Sequence, residues 1–144
     1  MRRLFLDANV IFTAAHNPNG NSRALFKLGA EQRVELISSR YALEEAARNI
    51  AVKFPECVSE FNNVIAGLAL VAEPSKAESQ LAAAQDLPGK DVPILAAAIG
   101  AGASILVTGD RRDFGHLYGK TVEGTTVLTP AEALSRALRS LVAR

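Results

Sequence analysis

The sequence predicts an α/β domain with a central, mostly parallel β-sheet flanked by helices. Three observations carry that expectation. Short runs rich in Val, Ile and Leu alternate with stretches of helical periodicity along the chain. Those runs show little polar alternation, the pattern of strands covered on both faces. A chain of 144 residues with 49% hydrophobic content suits one domain with one core, so the domain is expected to span residues 1–144.

Each element has its own signal. Arg3 to Leu6 is the first apolar run. "HNPNGN" (16 to 21) is turn chemistry ending in Asn-Gly, and a helix from Ser22 to Glu31 follows it. Val34 to Ser38 reads as the second strand. The stretch from Arg40 to Phe54 has the clearest helical period, with Leu43, Ala47, Ile50 and Phe54 returning to one face. Pro55 opens a further helix to Gly67, and Leu68 to Ala72 is the third strand. Residues 73–90 are polar and alanine-rich, a loop with a short helix. Val92 to Ala101 reads as a helix with Pro93 in its first turn. Ser104 to Thr108 and Thr125 to Leu128 are the last strands, and Pro130 to Val142 is the closing helix.

Composition removes several classes of function. No apolar run is long enough to span a membrane. "MRRLFLDANVIF" begins with arginines, but Asp7 and Asn9 break its apolar stretch and no small-residue cleavage site follows, so a cytoplasmic protein is expected. The single cysteine, Cys57, excludes an internal disulfide and a cysteine-based zinc cage. A net charge of +1 is not that of a strongly basic nucleic-acid binder. It leaves room for a nucleic-acid enzyme, because carboxylates that hold metal cancel basic residues in the sum.

The carboxylates are the informative part. The chain has five aspartates, and two of them, Asp110 and Asp113, lie in "ILVTGDRRDFG" just past an apolar strand. Asp7 follows the first strand, and Asp91 begins an alanine-rich helix. Each has an ordinary reading as a turn or helix-cap residue. Glu44 and Glu45 both fall outside the apolar stripe of their helix, and periodicity does not choose between them. In parallel sheets, however, ligands bind beyond the carboxyl ends of the strands, so Asp7 and Asp110 face one crevice if their strands run parallel. Gathered carboxylates repel and need a counter-charge. An all-oxygen set suits Mg²⁺ or Mn²⁺, and a pair of such ions can clamp a phosphodiester displacement.

Four blocks, in order, resemble the PIN-domain family, the nuclease fold of VapC-type toxins in toxin–antitoxin pairs. They are "LFLDANVIF", "LISSRYALEEAARNI", "KDVPILAAAIGAGA" and "SILVTGDRRDFG", and the close "VLTPAEAL" is also similar to a common family ending. The resemblance covers nearly the whole chain. It implies a Mg²⁺- or Mn²⁺-dependent ribonuclease that leaves a 5′-phosphate and a 3′-hydroxyl. Carried over by position, Asp7, Glu45, Asp91 and Asp110 are the catalytic metal ligands. Asp113 supports Asp110, since family members place the fourth acid at either position. Asn9 and Thr108 orient the carboxylates. The family's spacing favours Glu45 over Glu44. An RNA substrate, a cognate antitoxin and a homodimer are the implied partners, with the alanine-rich helix at Ala131 to Val142 as close-packing surface.

Two other classes fit less well. A haloacid-dehalogenase-type phosphatase needs a second aspartate two residues after the first, where this chain has Asn9, and its later acidic pair is one residue wider than Asp110 to Asp113. A receiver-like phospho-acceptor domain needs an acidic pair at the first strand end, where only Asp7 stands. An inactive PIN scaffold would have lost acidic positions, and none is lost. His16 reads as an exposed loop residue and His116 as local structure. Arg23, Lys27, Arg40, Lys90, Arg111 and Arg112 are candidate phosphate contacts without a motif.

Overall fold

Strand β1 (Arg3–Leu6) forms the middle of the molecule in the computed structural model, which describes the backbone of residues 1–142 and the side chains of residues 1–139. Its Leu4, Phe5 and Leu6 are fully buried. It pairs in parallel with β2 (Glu35–Ser38) on one side and β4 (Ile105–Val107) on the other. β3 (Ala69–Leu70) extends the sheet beyond β2, and β6 (Thr125–Leu128) extends it beyond β4, both in parallel. β5 (Thr121–Val122) pairs antiparallel with β6, giving the order β3-β2-β1-β4-β6-β5. The expected parallel α/β sheet is present, with this one antiparallel edge. The β5–β6 turn places Glu123 and Gly124 at φ values of 49° and 85°, the doubly left-handed form that suits a tight hairpin. The final residues of the span expected for the domain, 143 and 144, lie outside the described part.

Helices α1 (Ala8–His16), α2 (Asn21–Ala30), α3 (Arg40–Lys53), α4 (Val58–Ile65), α5 (Lys76–Ala83), α6 (Val92–Gly100), α7 (Arg111–Phe114) and α8 (Pro130–Val142) cover the sheet. α6 is apolar on nearly every face, and Ile94 to Ala98 are all buried. Its alanines lack the bulk to hold it away from its neighbours, so it packs closely.

Four details depart from the sequence reading. The segment after Asp7 is a nine-residue helix, α1, whose apolar run hid its period. The expected helix from Pro55 to Gly67 divides into a 3-10 turn, Pro55–Cys57, and α4. On α3 the buried stripe is Ala42, Ala46 and Ile50, one position away from the expected Ala47, which is exposed. β3 is a two-residue edge strand with both residues exposed, so its apolar composition did not signal burial on both faces.

Candidate functional site

The parallel pairing of β1 with β4 brings Asp7 and Thr108 together across 101 residues of sequence. Asp7 is only 4% exposed, and its Oδ1 accepts from the backbone N–H of Ala8 at 2.7 Å. Its Oδ2 accepts from Thr108 Oγ1 at 2.8 Å and from Asn9 Nδ2 at 3.2 Å. Asn9 Oδ1 in turn accepts from the Gly109 N–H at 2.8 Å, and Thr108 Oγ1 accepts from the Asp110 N–H at 3.1 Å. Asn9 and Thr108 thus tie the start of α1 to the end of β4. Tyr118 tightens the same corner by donating its hydroxyl to the Thr108 carbonyl at 2.8 Å.

Asp91, Asp110 and Asp113 form the second half of the cluster. One carboxylate oxygen from each lies within 4.8 Å of the others. Asp110 accepts from the Asp113 N–H at 3.0 Å, so it also caps α7. Asp91 occupies the cap position of α6 but makes no side-chain capping bond. Its Oδ2 is buried and has no hydrogen-bond partner among the described residues. The Asp91 carboxyl also meets a second acceptor, Asp113, and that contact is favourable only while one of the two holds a proton. A buried, unsatisfied carboxylate oxygen costs free energy, which is hard to reconcile with a mere cap.

The electrostatics link the two halves. Burial pushes the Asp7 carboxyl up to about 6, against the lowering effect of Thr108 and Ala8, and Glu45 and Asp110 push in the same direction as burial. Burial, followed by the contact with Asp113, pushes Asp91 up to about 7. The same contact holds Asp113 below the usual carboxylate range. Glu45 is half-buried on the α3 face beside the buried stripe, while Glu44 is exposed. The field of Glu45 reaches both Asp7 and Tyr41.

Two residues the sequence reading gave no role frame the rim. Tyr41 lies one turn before Glu45 on α3 and donates its hydroxyl to the Lys90 carbonyl at 2.8 Å. Tyr118 carries a hydroxyl pushed up to about 12 by burial and by Asp110. The spacing from Tyr41 to Glu45 was a signal for the first, whereas only the fold brings the second to Thr108. Lys90 pairs with Asp113 at 3.3 Å and supplies a positive charge at the rim.

Other expectations need correction. Arg23 is not a free phosphate contact: it pairs with Glu60 at 3.1 Å and donates to the Ala14 carbonyl at 2.7 Å, locking α2 to α4 and α1. His16 is not a loop residue; it ends α1 and stacks on Phe54 at 4.4 Å between ring centres. His116, by contrast, takes the structural role expected of it and bonds the Gln85 carbonyl at 2.7 Å.

A family model described as PIN domain matches residues 3–112, about three quarters of the chain. The chain belongs to the PIN-domain family. This membership sets aside the phosphatase and receiver-like readings of the acidic pattern. No curated protein sequence matches the chain. Among solved structures, the PIN domain is similar to VapBC2 from Rickettsia felis bound to a DNA fragment from their promoter, with 15% identity, a TM-score of 0.65, and 88% of this chain and 98% of that one covered. It is similar to DNA-bound VapBC from Salmonella typhimurium, with 20% identity, a TM-score of 0.64 and coverage of 90% and 99%. It is also similar to VapBC-1 from nontypeable Haemophilus influenzae, with 13% identity, a TM-score of 0.57 and coverage of 90% and 98%. At these identities the likeness is one of fold.

Proposed function

We propose that this PIN domain is a Mg²⁺- or Mn²⁺-dependent ribonuclease and the toxin of a toxin–antitoxin pair. The observation that carries the reading is the buried, unpartnered Oδ2 of Asp91, on a residue clustered with Asp110 and Asp113. The donor set suits a hard divalent cation: it is all oxygen, clustered, and costly to leave uncompensated. Asp91, Asp110 and Asp113 would hold the metal, with Asp7 and Glu45 completing the acidic set around it. When bound, the metal activates water and neutralises charge on the phosphodiester.

The chain's own residues prepare the site. Thr108 and Asn9 fix the Asp7 carboxylate through its Oδ2. Without a cation, Asp91 and Asp113 share a proton, which leaves as the cleft fills. Lys90 neutralises part of the rim and leaves the floor negative.

The VapBC name carried by the similar structures supports a cognate antitoxin as partner, and the substrate as RNA follows from the family. The setting is then the cytoplasm. No described helix is long and apolar enough to cross a membrane. A homodimer completes the reading. Its face cannot come from Ala133 and Ala137 of α8, which the chain's own core buries, and the side chains of residues 140–142 lie outside the described part.

Incubation of the purified chain with structured and unstructured RNA tests the activity. Cuts bearing 5′-phosphate ends that require Mg²⁺ or Mn²⁺ are expected. Cleavage that persists in excess chelator, or leaves 2′,3′-cyclic phosphate, overturns the metal mechanism.

A further inference from the structure

A cavity of about 300 Å³ opens past the ends of β4 and β6, lined among others by Asn21, Ser22, Gly109, Arg111 and Thr129. Gly109 is the wall it shares with the acidic cluster, since the Gly109 N–H is held by Asn9. The first turn of α2 faces this cavity. Its cap, Gly20, has no side chain to accept the free amides, and the first helical bond is Ala24 N–H to the Gly20 carbonyl at 3.1 Å. The Asn21, Ser22 and Arg23 amides are therefore left without an acceptor among the described residues.

Ser22 is a second, independent sign of a ligand. It is only 3% exposed, it lines the cavity, and its hydroxyl has no hydrogen-bond partner among the described residues. The other buried hydroxyls, those of Ser38, Ser39, Thr108 and Thr125, all have one. The Ser22 hydroxyl, the unspent amides of Asn21 and Ser22, and Arg111 all belong to residues that line this one space. All are donors, and a tetrahedral oxyanion is the chemistry that satisfies them together.

We propose that this cavity is a phosphate subsite that holds a backbone phosphate of the RNA strand next to the scissile one. The inference rests on the nuclease reading for its substrate. It adds where the strand runs: from the acidic cluster over Gly109 to the N-terminus of α2. A strand phosphate is favoured over free phosphate because the neighbouring carboxylates repel an isolated anion, whereas a bound strand delivers its phosphate to the cavity by attachment.

The test uses the full chain with Ser22→Ala and Arg111→Gln. The first removes no intramolecular hydrogen bond and the second changes an exposed side chain, so both variants fold. In RNA cleavage, KM is expected to rise about tenfold for Arg111→Gln, with less effect for Ser22→Ala and kcat unchanged in both. In chelator, where the strand stays intact, a short oligoribonucleotide is expected to shift the Asn21, Ser22 and Arg23 amide resonances saturably. The salt dependence of its binding should flatten in Arg111→Gln by about one phosphate contact, a slope change of about 0.7 for single strands. Cleavage with unchanged KM in both variants, and unmoved amides, overturns the subsite and leaves the nuclease standing. Saturable amide shifts without cleavage support the subsite and remove the nuclease. Inorganic phosphate that saturates the same amides more tightly than the oligoribonucleotide overturns the assignment to a strand.

Discussion

Replacing Asp91 with asparagine deletes one charge from the cluster while keeping the shape of the side chain. In the metal-free protein Asp91 is raised from 3.8 to about 7, mainly by burial and then by Asp113. A rise of that size corresponds to about 4 kcal/mol if it belonged to one isolated group. Asp113 is held low by the same contact and is partly exposed, so part of this cancels or is screened. A net penalty of about 1 to 2 kcal/mol is carried into neutral solution. The sign follows from proton binding: the folded protein holds this proton more tightly than the unfolded chain. Asp91 therefore contributes most favourably below pH 3.8, and that contribution is lost as pH rises toward about 7. The amide that replaces the carboxyl in Asp91→Asn does not titrate. At pH 8 and without metal the variant should melt higher than wild type by roughly 2–8 °C, and at pH 4 the two should converge. Mn²⁺ reverses the order, because wild type gains about 2.7 kcal/mol at a hundredfold excess over its dissociation constant and the variant gains less. The assay is a set of thermal melts at pH 4, 6 and 8, with chelator or Mn²⁺, beside RNA cleavage. Equal metal shifts in both proteins, with cleavage intact in the variant, would refute the reasoning and return Asp91 to the role of a helix cap.

Glu45→Gln is expected to abolish cleavage while Glu44→Gln leaves it nearly intact; the reverse result in a cleavage assay would show that the wrong glutamate faces the cleft. Thr108→Val removes the hydrogen bond that restrains the Asp7 carboxyl, so Asp7 titrates above about 6 and the acid limb of the pH–rate profile moves upward. The same change strands the Asp110 N–H and costs about 1–3 kcal/mol in a urea melt. Light scattering at micromolar concentration is expected to give the mass of a dimer, and a monomer throughout that range would remove the dimer without touching the nuclease.

Strand and helix positions were legible where composition and burial agree. β1, β4 and β6 are apolar because both faces are covered, and their runs could be read directly. β3 is apolar by composition yet exposed, so the same signal there carried less meaning. α1 was hidden for the opposite reason. Its Ala8, Val10, Ile11, Ala14 and Ala15 are buried on several sides, and a helix enclosed that fully loses the polar face that marks a helical period. The one-residue error on α3 has a related cause. Alanine suits a buried and an exposed helical position almost equally, so Ala46 and Ala47 differ only in what the fold puts against them.

The candidate site divides along the same line. Asp7, Asp91 and Asp110 could be picked out because each stands where a strand or helix begins or ends, and the parallel pairing of β1 with β4 brings Asp7 and Asp110 to one edge. What no spacing could convey is how differently they are used. Asp7 spends both oxygens on donors and Asp110 spends one on the α7 cap, whereas Asp91 meets another acceptor. Arg23 shows the converse, since a basic residue in a plausible place is consumed by Glu60 and the α1 carbonyls. Identity tells which groups can bind a ligand, and only the completed set of hydrogen bonds tells which still have capacity to do so. Within that set the buried Asp91 oxygen lacks a donor, and Ser22, a buried residue on the cavity wall, makes no side-chain hydrogen bond among the described residues. The first calls for a cation and the second is suited to an anion. A phosphodiester held by a metal over the aspartates, with its neighbouring phosphate at the start of α2, satisfies both.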